Sequence, residues 1–83
     1  MYKRAEVKWR EEGDGIFIFC PVRSEMFKLN ATGRIVWAEI EKSLPDQIAK
    51  IISTEYNIDH ETALKDVGIC ISDLVEKRLV MEV

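Results

Sequence analysis

The stretch LNATGRIVWAEI, Leu29 to Ile40, is where the apolar period of the chain changes, and its reading decides the fold. Trp37, Ala38, Glu39 and Ile40 belong to a helix, yet Gly33 and the β-branched Ile35 and Val36 stand just before them. A glycine in a helix interior costs roughly 1 kcal/mol against alanine. The conflict disappears if the helix begins at Asn30, with Thr32 as the alternative cap, because Gly33 then falls in the first turn. The stretch therefore marks a strand-to-helix junction. We expect Trp37, four residues on, to pack over the bare backbone at Gly33.

Upstream of the junction the period is that of strands. Val7-Lys8-Trp9-Arg10 alternates apolar and polar, and Glu11 to Gly15 is a polar, glycine-bearing turn onto Ile16-Phe17-Ile18-Phe19-Cys20. That second run is apolar throughout, as in a strand covered on both faces, and is too short for a helix. Pro21 ends it. Glu25-Met26-Phe27-Lys28-Leu29 alternates again, with Phe27 and Leu29 inward and Met26 and Lys28 outward. Three antiparallel strands follow, and a sheet of that size leaves edges open to pairing.

Downstream the period is helical. Trp37, Ile40 and Leu44 form one inward stripe. A second helix opens at Ser43-Leu44-Pro45-Asp46 with Ser43 as cap, and Ile48, Ile51, Ile52 and Tyr56 share a face. A third helix, capped by Asp59, runs to about Arg78. Its apolar residues Ala63, Leu64, Val67, Cys70, Ile71, Leu74 and Val75 span an arc of about 140°, wider than the roughly 100° of a simple surface helix. Such a helix packs on two things. Ile69 falls off the arc, and Leu79 to Val83 finish as an extended tail. The expected fold is α+β and winged-helix-like: one domain over 1–83, a three-stranded antiparallel sheet followed by three helices.

With 83 residues, 47% hydrophobic and 33% charged, the chain is globular and carries no low-complexity segment. A net charge of -3 disfavours a phosphate backbone as partner. Tyr2, Lys3, Arg4 and Lys8 make a basic lead that Glu6, Glu11, Glu12 and Asp14 cancel, and we read it as a solvated edge. No segment has the length to span a bilayer or the apolar core of a signal peptide, so a cytoplasmic location without membrane contact is expected. Cys20 and Cys70 lack metal-type spacing and are read as free, small hydrophobes.

The sequence carries no constellation spaced for catalysis or metal binding. His60 is the only histidine and has no ligand cluster at suitable spacing. Ser24, Ser43, Ser53 and Ser72 lack a nucleophile signature, and Gly13-Asp14-Gly15 is too short to cradle a phosphate. The expectation is a protein without catalysis, cofactor or metal.

Three blocks in fixed order, Leu29-Asn30-x-Thr32-Gly33-x-x-x-Trp37, then SLPDQIAKIISTEYNID, then DVGICISDLVEKRLV, resemble the PqqD-like family over essentially the whole chain. That family includes the peptide chaperone of pyrroloquinoline quinone biosynthesis and stand-alone recognition proteins of lasso-peptide pathways. Arg78 departs from the pattern, since the family often has glycine before the closing leucine.

The resemblance implies a RiPP recognition element, which binds the leader segment of a ribosomally made precursor peptide and presents it to a separate modifying enzyme or protease. In such domains the leader adds as a strand to the edge of the third strand and lies against the third helix, gaining affinity from backbone bonds and selection from pockets. The implied site is the backbone of Met26, Phe27, Lys28 and Leu29, with rim charges Arg23, Glu25, Lys28, Asp66 and Asp73 fixing register. Val67, Cys70, Ile71 and Leu74 are core by residue type, while the wide arc sets at least two of them against the peptide as the alternative.

A lasso-peptide leader protease is the favoured recipient. The alternatives are a PqqD-type chaperone serving a radical SAM enzyme, and a winged-helix DNA regulator; Lys65, Lys77 and Arg78 on the third helix are matched by Asp66, Asp73 and Glu76, which counts against the latter. The chain is expected to be a monomer or weak dimer.

Overall fold

A computed structural model describes residues 1–83. The elements are β1 (Tyr2–Arg4), β2 (Lys8–Glu12), β3 (Gly15–Cys20), β4 (Glu25–Leu29), α1 (Ala31–Glu39), α2 (Pro45–Tyr56), α3 (His60–Glu76) and β5 (Val80–Glu82). β2, β3 and β4 form an antiparallel sheet in that order, with β3 in the centre. The expected α+β, winged-helix-like architecture is what the chain adopts. Gly13, at φ +61°, opens the two-residue turn between β2 and β3, where a side chain would be disfavoured.

α1 lies on one face of this sheet, and α2 and α3 pack on α1 and on each other to complete the core. Ile16 and Ile18 of β3 and Leu29 of β4 are buried there with Val36, Trp37, Ile40, Ile48, Ile52, Val67, Leu74 and Leu79. On α2 the buried residues are Ile48, Ala49 and Ile52, whereas Ile51 and Tyr56, expected on the same face, are exposed. Leu44, expected on the inward stripe of α1, is also exposed.

Asn30 caps α1 as expected, its Oδ1 accepting from Gly33 N at 2.9 Å and from Thr32 Oγ1 at 3.1 Å. Asp59 caps α3 through Thr62 N. Ser43 does not cap α2. Leu44 holds that position, its backbone N–H donating to Gln47 Oε1 at 2.7 Å, while the Ser43 hydroxyl donates to Glu39. Pro45 at the first helical position explains the shift, since its fixed φ sets the helix start one residue later than Ser43 would.

Gly33 accommodates Leu29 rather than Trp37. A Cβ at position 33 would stand 3.0 Å from Leu29 Cβ and 3.3 Å from Asn30 Oδ1. The end of β4 therefore presses directly on the first turn of α1. Trp37 points elsewhere, meeting Trp9 edge-on at 5.6 Å between ring centroids.

Of the basic lead, Lys8 is exposed on the edge strand β2 as expected, but Tyr2 to Arg4 are not a solvated edge. Tyr2–Arg4 pairs antiparallel with Val80–Glu82, so the expected C-terminal tail is a strand with a partner. Arg4 fastens this second sheet to the body: its backbone N–H and guanidinium bind Glu41, and the guanidinium lies 4.7 Å from the Trp9 ring and 5.5 Å from that of Trp37. The backbone N–H of Arg4, aided by its charge, holds the Glu41 carboxyl below the usual range.

α3 ends at Glu76, short of Arg78. The Arg78 N–H donates to Val75 O, Leu79 N–H donates to Leu74 O, and Arg78 itself is left-handed at φ +60°. This is the helix stop that usually employs glycine.

Candidate functional site

β4 is hydrogen-bonded to β3 along one edge, and no strand of the chain occupies the other. Beside β4 and α3 lies an open groove of about 430 Å³, lined among others by Lys28, Leu29, Asn30, Asp66, Ile69, Cys70 and Asp73. A strand edge with unspent N–H and C=O groups beside a partly apolar helical wall has the chemistry to take up an extended chain.

Arg23 closes one end of this arrangement. Its Nη2 donates to Lys77 O at 2.8 Å, its Nη1 pairs with Glu25 Oε1 at 3.0 Å, and its Nε donates to Cys20 Sγ at 3.4 Å. The turn before β4 is thereby tied to the end of α3, and the guanidinium holds the buried Cys20 thiol below its usual range. At the same end, Lys77 Nζ lies 5.5 Å from the Phe27 ring and binds Asp73 at 2.8 Å. The Asn30 cap bounds the other end.

On β4 the alternation holds. Leu29 is buried, Phe27 is partly buried against the core, and Met26 is exposed on the opposite face, where Lys28 lies 5.5 Å from the Phe17 ring. The α3 wall differs from the expected one. Val67, Ile71 and Leu74 are 1%, 5% and 0% exposed, so these three lie beneath the wall as core. Its surface is made by Asp66, Ile69, Cys70 and Asp73. Cys70 is half-buried, and burial, with Asp73 adding, pushes its thiol up to about 11.

The wide apolar arc has a packing cause: α3 packs against α2, α1 and β5 together. Leu64 and Val75, at the far side of the arc, are part-exposed. Ile69 is not among the residues expected at the site, yet it lines the groove and is 61% exposed, an isoleucine on an otherwise polar flank. His60 lies away from the groove, with Nε2 3.0 Å from Asp46 Oδ1.

Fold and site together define a class: a small winged-helix-like α+β domain in which one unpaired strand edge borders an open groove along a helix. The profile of the family described as Coenzyme PQQ synthesis protein D (PqqD) matches residues 15–80, and the chain belongs to the PqqD family. Among solved structures it is similar to "TbiB1 in Complex with the TbiA(beta) Leader Peptide", with TM-score 0.86, 24% identity and coverage of 98% of this chain and 96% of that one. It is also similar to "Lasso peptide synthetase B1 complexed with the leader peptide", with TM-score 0.85, 19% identity and 98% of both chains covered. No curated protein sequence matches it. None of its helices is long and apolar enough to cross a membrane.

Proposed function

We propose that this protein is a RiPP recognition element that binds the leader segment of a precursor peptide and presents it to a separate processing enzyme, a lasso-peptide leader protease. The observation that carries this reading is the unpaired edge of β4 beside the open α3 groove. The leader adds antiparallel or parallel to Glu25–Leu29 through backbone bonds, and its alternate side chains enter the groove. Ile69 and Cys70 supply apolar contact; Asp66, Asp73 and Lys28 select by charge. Arg23 and Glu25 hold the rim in place through their contacts with each other and with Lys77 O. Val67, Ile71 and Leu74 support the wall from below.

Two similar folds were each solved with a leader peptide, which supports the leader over other extended ligands, and the lasso role over quinone-cofactor assembly. A DNA regulator fits less well, because α3 presents Asp66 and Asp73 at its open flank.

The test is fluorescence polarisation with synthetic leader segments of lasso-peptide precursors. Saturable binding is expected, weakened at least tenfold by Ile69→Glu or Cys70→Glu in variants that keep their far-UV circular dichroism. Undiminished binding by both folded variants would remove the groove from the account.

A further inference from the structure

β3 is the central strand, and its two sides are both apolar for different reasons. Ile16, Ile18 and Cys20 enter the core. Phe17 and Phe19 point to the opposite face, which no helix covers. The pairing register puts Lys8, Phe19 and Met26 in one row across that face, and Arg10, Phe17 and Lys28 in the next. Phe19 is 38% exposed and Met26 65%. Together with Lys8, Trp9, Arg10 and Phe17 they line a shallow depression of about 360 Å³. An antiparallel sheet with one solvated face ordinarily carries polar residues there, so two phenylalanines on the middle strand point to a second layer supplied from outside.

Charge and shape restrict what that layer is. Lys8, Arg10 and Lys28 surround the apolar centre, and the one carboxylate on this face, Glu12, pairs with Arg10 at 3.1 Å, which leaves the face with a surplus of positive charge in a chain whose net charge is -3. A second copy placed face to face would set these cations against themselves. The depression is concave, which suits a protruding side chain better than a lipid surface. The face also continues into the free edge of β4, where an added strand would set its own alternate side chains beside Met26 and Lys28.

We propose that the outer face of the β2-β3-β4 sheet, centred on Phe19, docks the separate processing enzyme through an apolar prominence rimmed by carboxylates, and that the bound leader completes this docking face. The inference rests on the leader-binding reading for its partner. Phe19 and the β2 cations stand outside the leader groove, so the two surfaces are separable by mutation.

The experiment uses the full chain and a purified lasso-peptide leader protease from the same organism, with binding followed by isothermal titration with and without the synthetic leader. Wild type is expected to bind the protease, at least threefold more tightly with leader present. Phe19→Thr, and separately Lys8→Glu with Arg10→Glu, should each weaken that binding at least tenfold while leader affinity stays within twofold. Protease binding that survives in both variants, or is absent in wild type with leader bound, overturns the proposal. So does sedimentation of the wild type with vesicles containing phosphatidylserine, or a dimer at micromolar concentration, if Phe19→Thr abolishes it. Failure of wild type to bind leader while it still binds protease through Phe19 would instead overturn the leader reading and the composite face, leaving the docking position standing.

Discussion

Replacing Arg78 by glycine should stabilise this protein, although glycine is usually a destabilising choice. Arg78 sits just past the end of α3 at φ +60°, between the Arg78 N–H to Val75 O and Leu79 N–H to Leu74 O bonds that terminate the helix. A side chain in that left-handed conformation costs roughly 1–2 kcal/mol, which glycine does not incur. The Arg78 side chain makes no ion pair or hydrogen bond that its removal would lose. Part of the gain is offset by the greater freedom glycine brings to the unfolded chain, leaving about 1 kcal/mol. For a domain of this size that corresponds to roughly 4–8 °C in Tm. The assay is thermal unfolding followed at 222 nm, with Asn57→Gly as control. Asn57 holds the equivalent position after α2 at φ 52°, and asparagine tolerates that region, so its gain should be smaller. A Tm for Arg78→Gly equal to or below that of wild type would refute the reasoning.

Gly33→Val is expected to lose about 1–3 kcal/mol through overpacking, because the new side chain meets Leu29 and the Asn30 cap; an unchanged Tm would contradict the close approach. Asn30→Ala removes the acceptor for Gly33 N and Thr32 Oγ1 and should cost about 1 kcal/mol, read from the urea midpoint. The Cys70 thiol is pushed from 9.0 up to about 11 in the folded chain, so the unfolded chain ionises first. Its contribution is therefore intact below pH 9 and is lost as pH rises through about 11. Cys70→Ala should flatten that part of the stability profile relative to wild type, and identical profiles would contradict the assignment.

Much of this fold is legible from local signals. The Asn30 and Asp59 caps, the Gly13 turn and the strand-to-helix change after Leu29 each depend on a few neighbouring residues. The β1–β5 pair is not legible in that way. Each strand has three residues, and its partner lies at the other end of the chain, so no period is long enough to register. Trp37 illustrates the same limit at side-chain level: the i+4 spacing suggested Gly33, while its aromatic neighbour, Trp9, comes from a different strand.

The site divides similarly. The alternation along Glu25–Leu29 is readable by residue type and spacing, whereas Asp66 and Asp73 become candidates only through the family resemblance, and residue type alone would place Cys70 in the core. Arc width alone does not distinguish a ligand wall from a helix packed on several neighbours, and in α3 it reflects the latter for Val67, Ile71 and Leu74. Ile69 carries the exposed apolar surface instead, and it was visible as the one isoleucine out of phase.

Strand addition at β4 is tested most directly by amide hydrogen exchange of the full chain with and without its synthetic leader. Slowed exchange concentrated in the Glu25–Leu29 amides that face away from β3 is the expected result. Saturable leader binding that leaves those amides exchanging as fast as in the free protein would contradict the account.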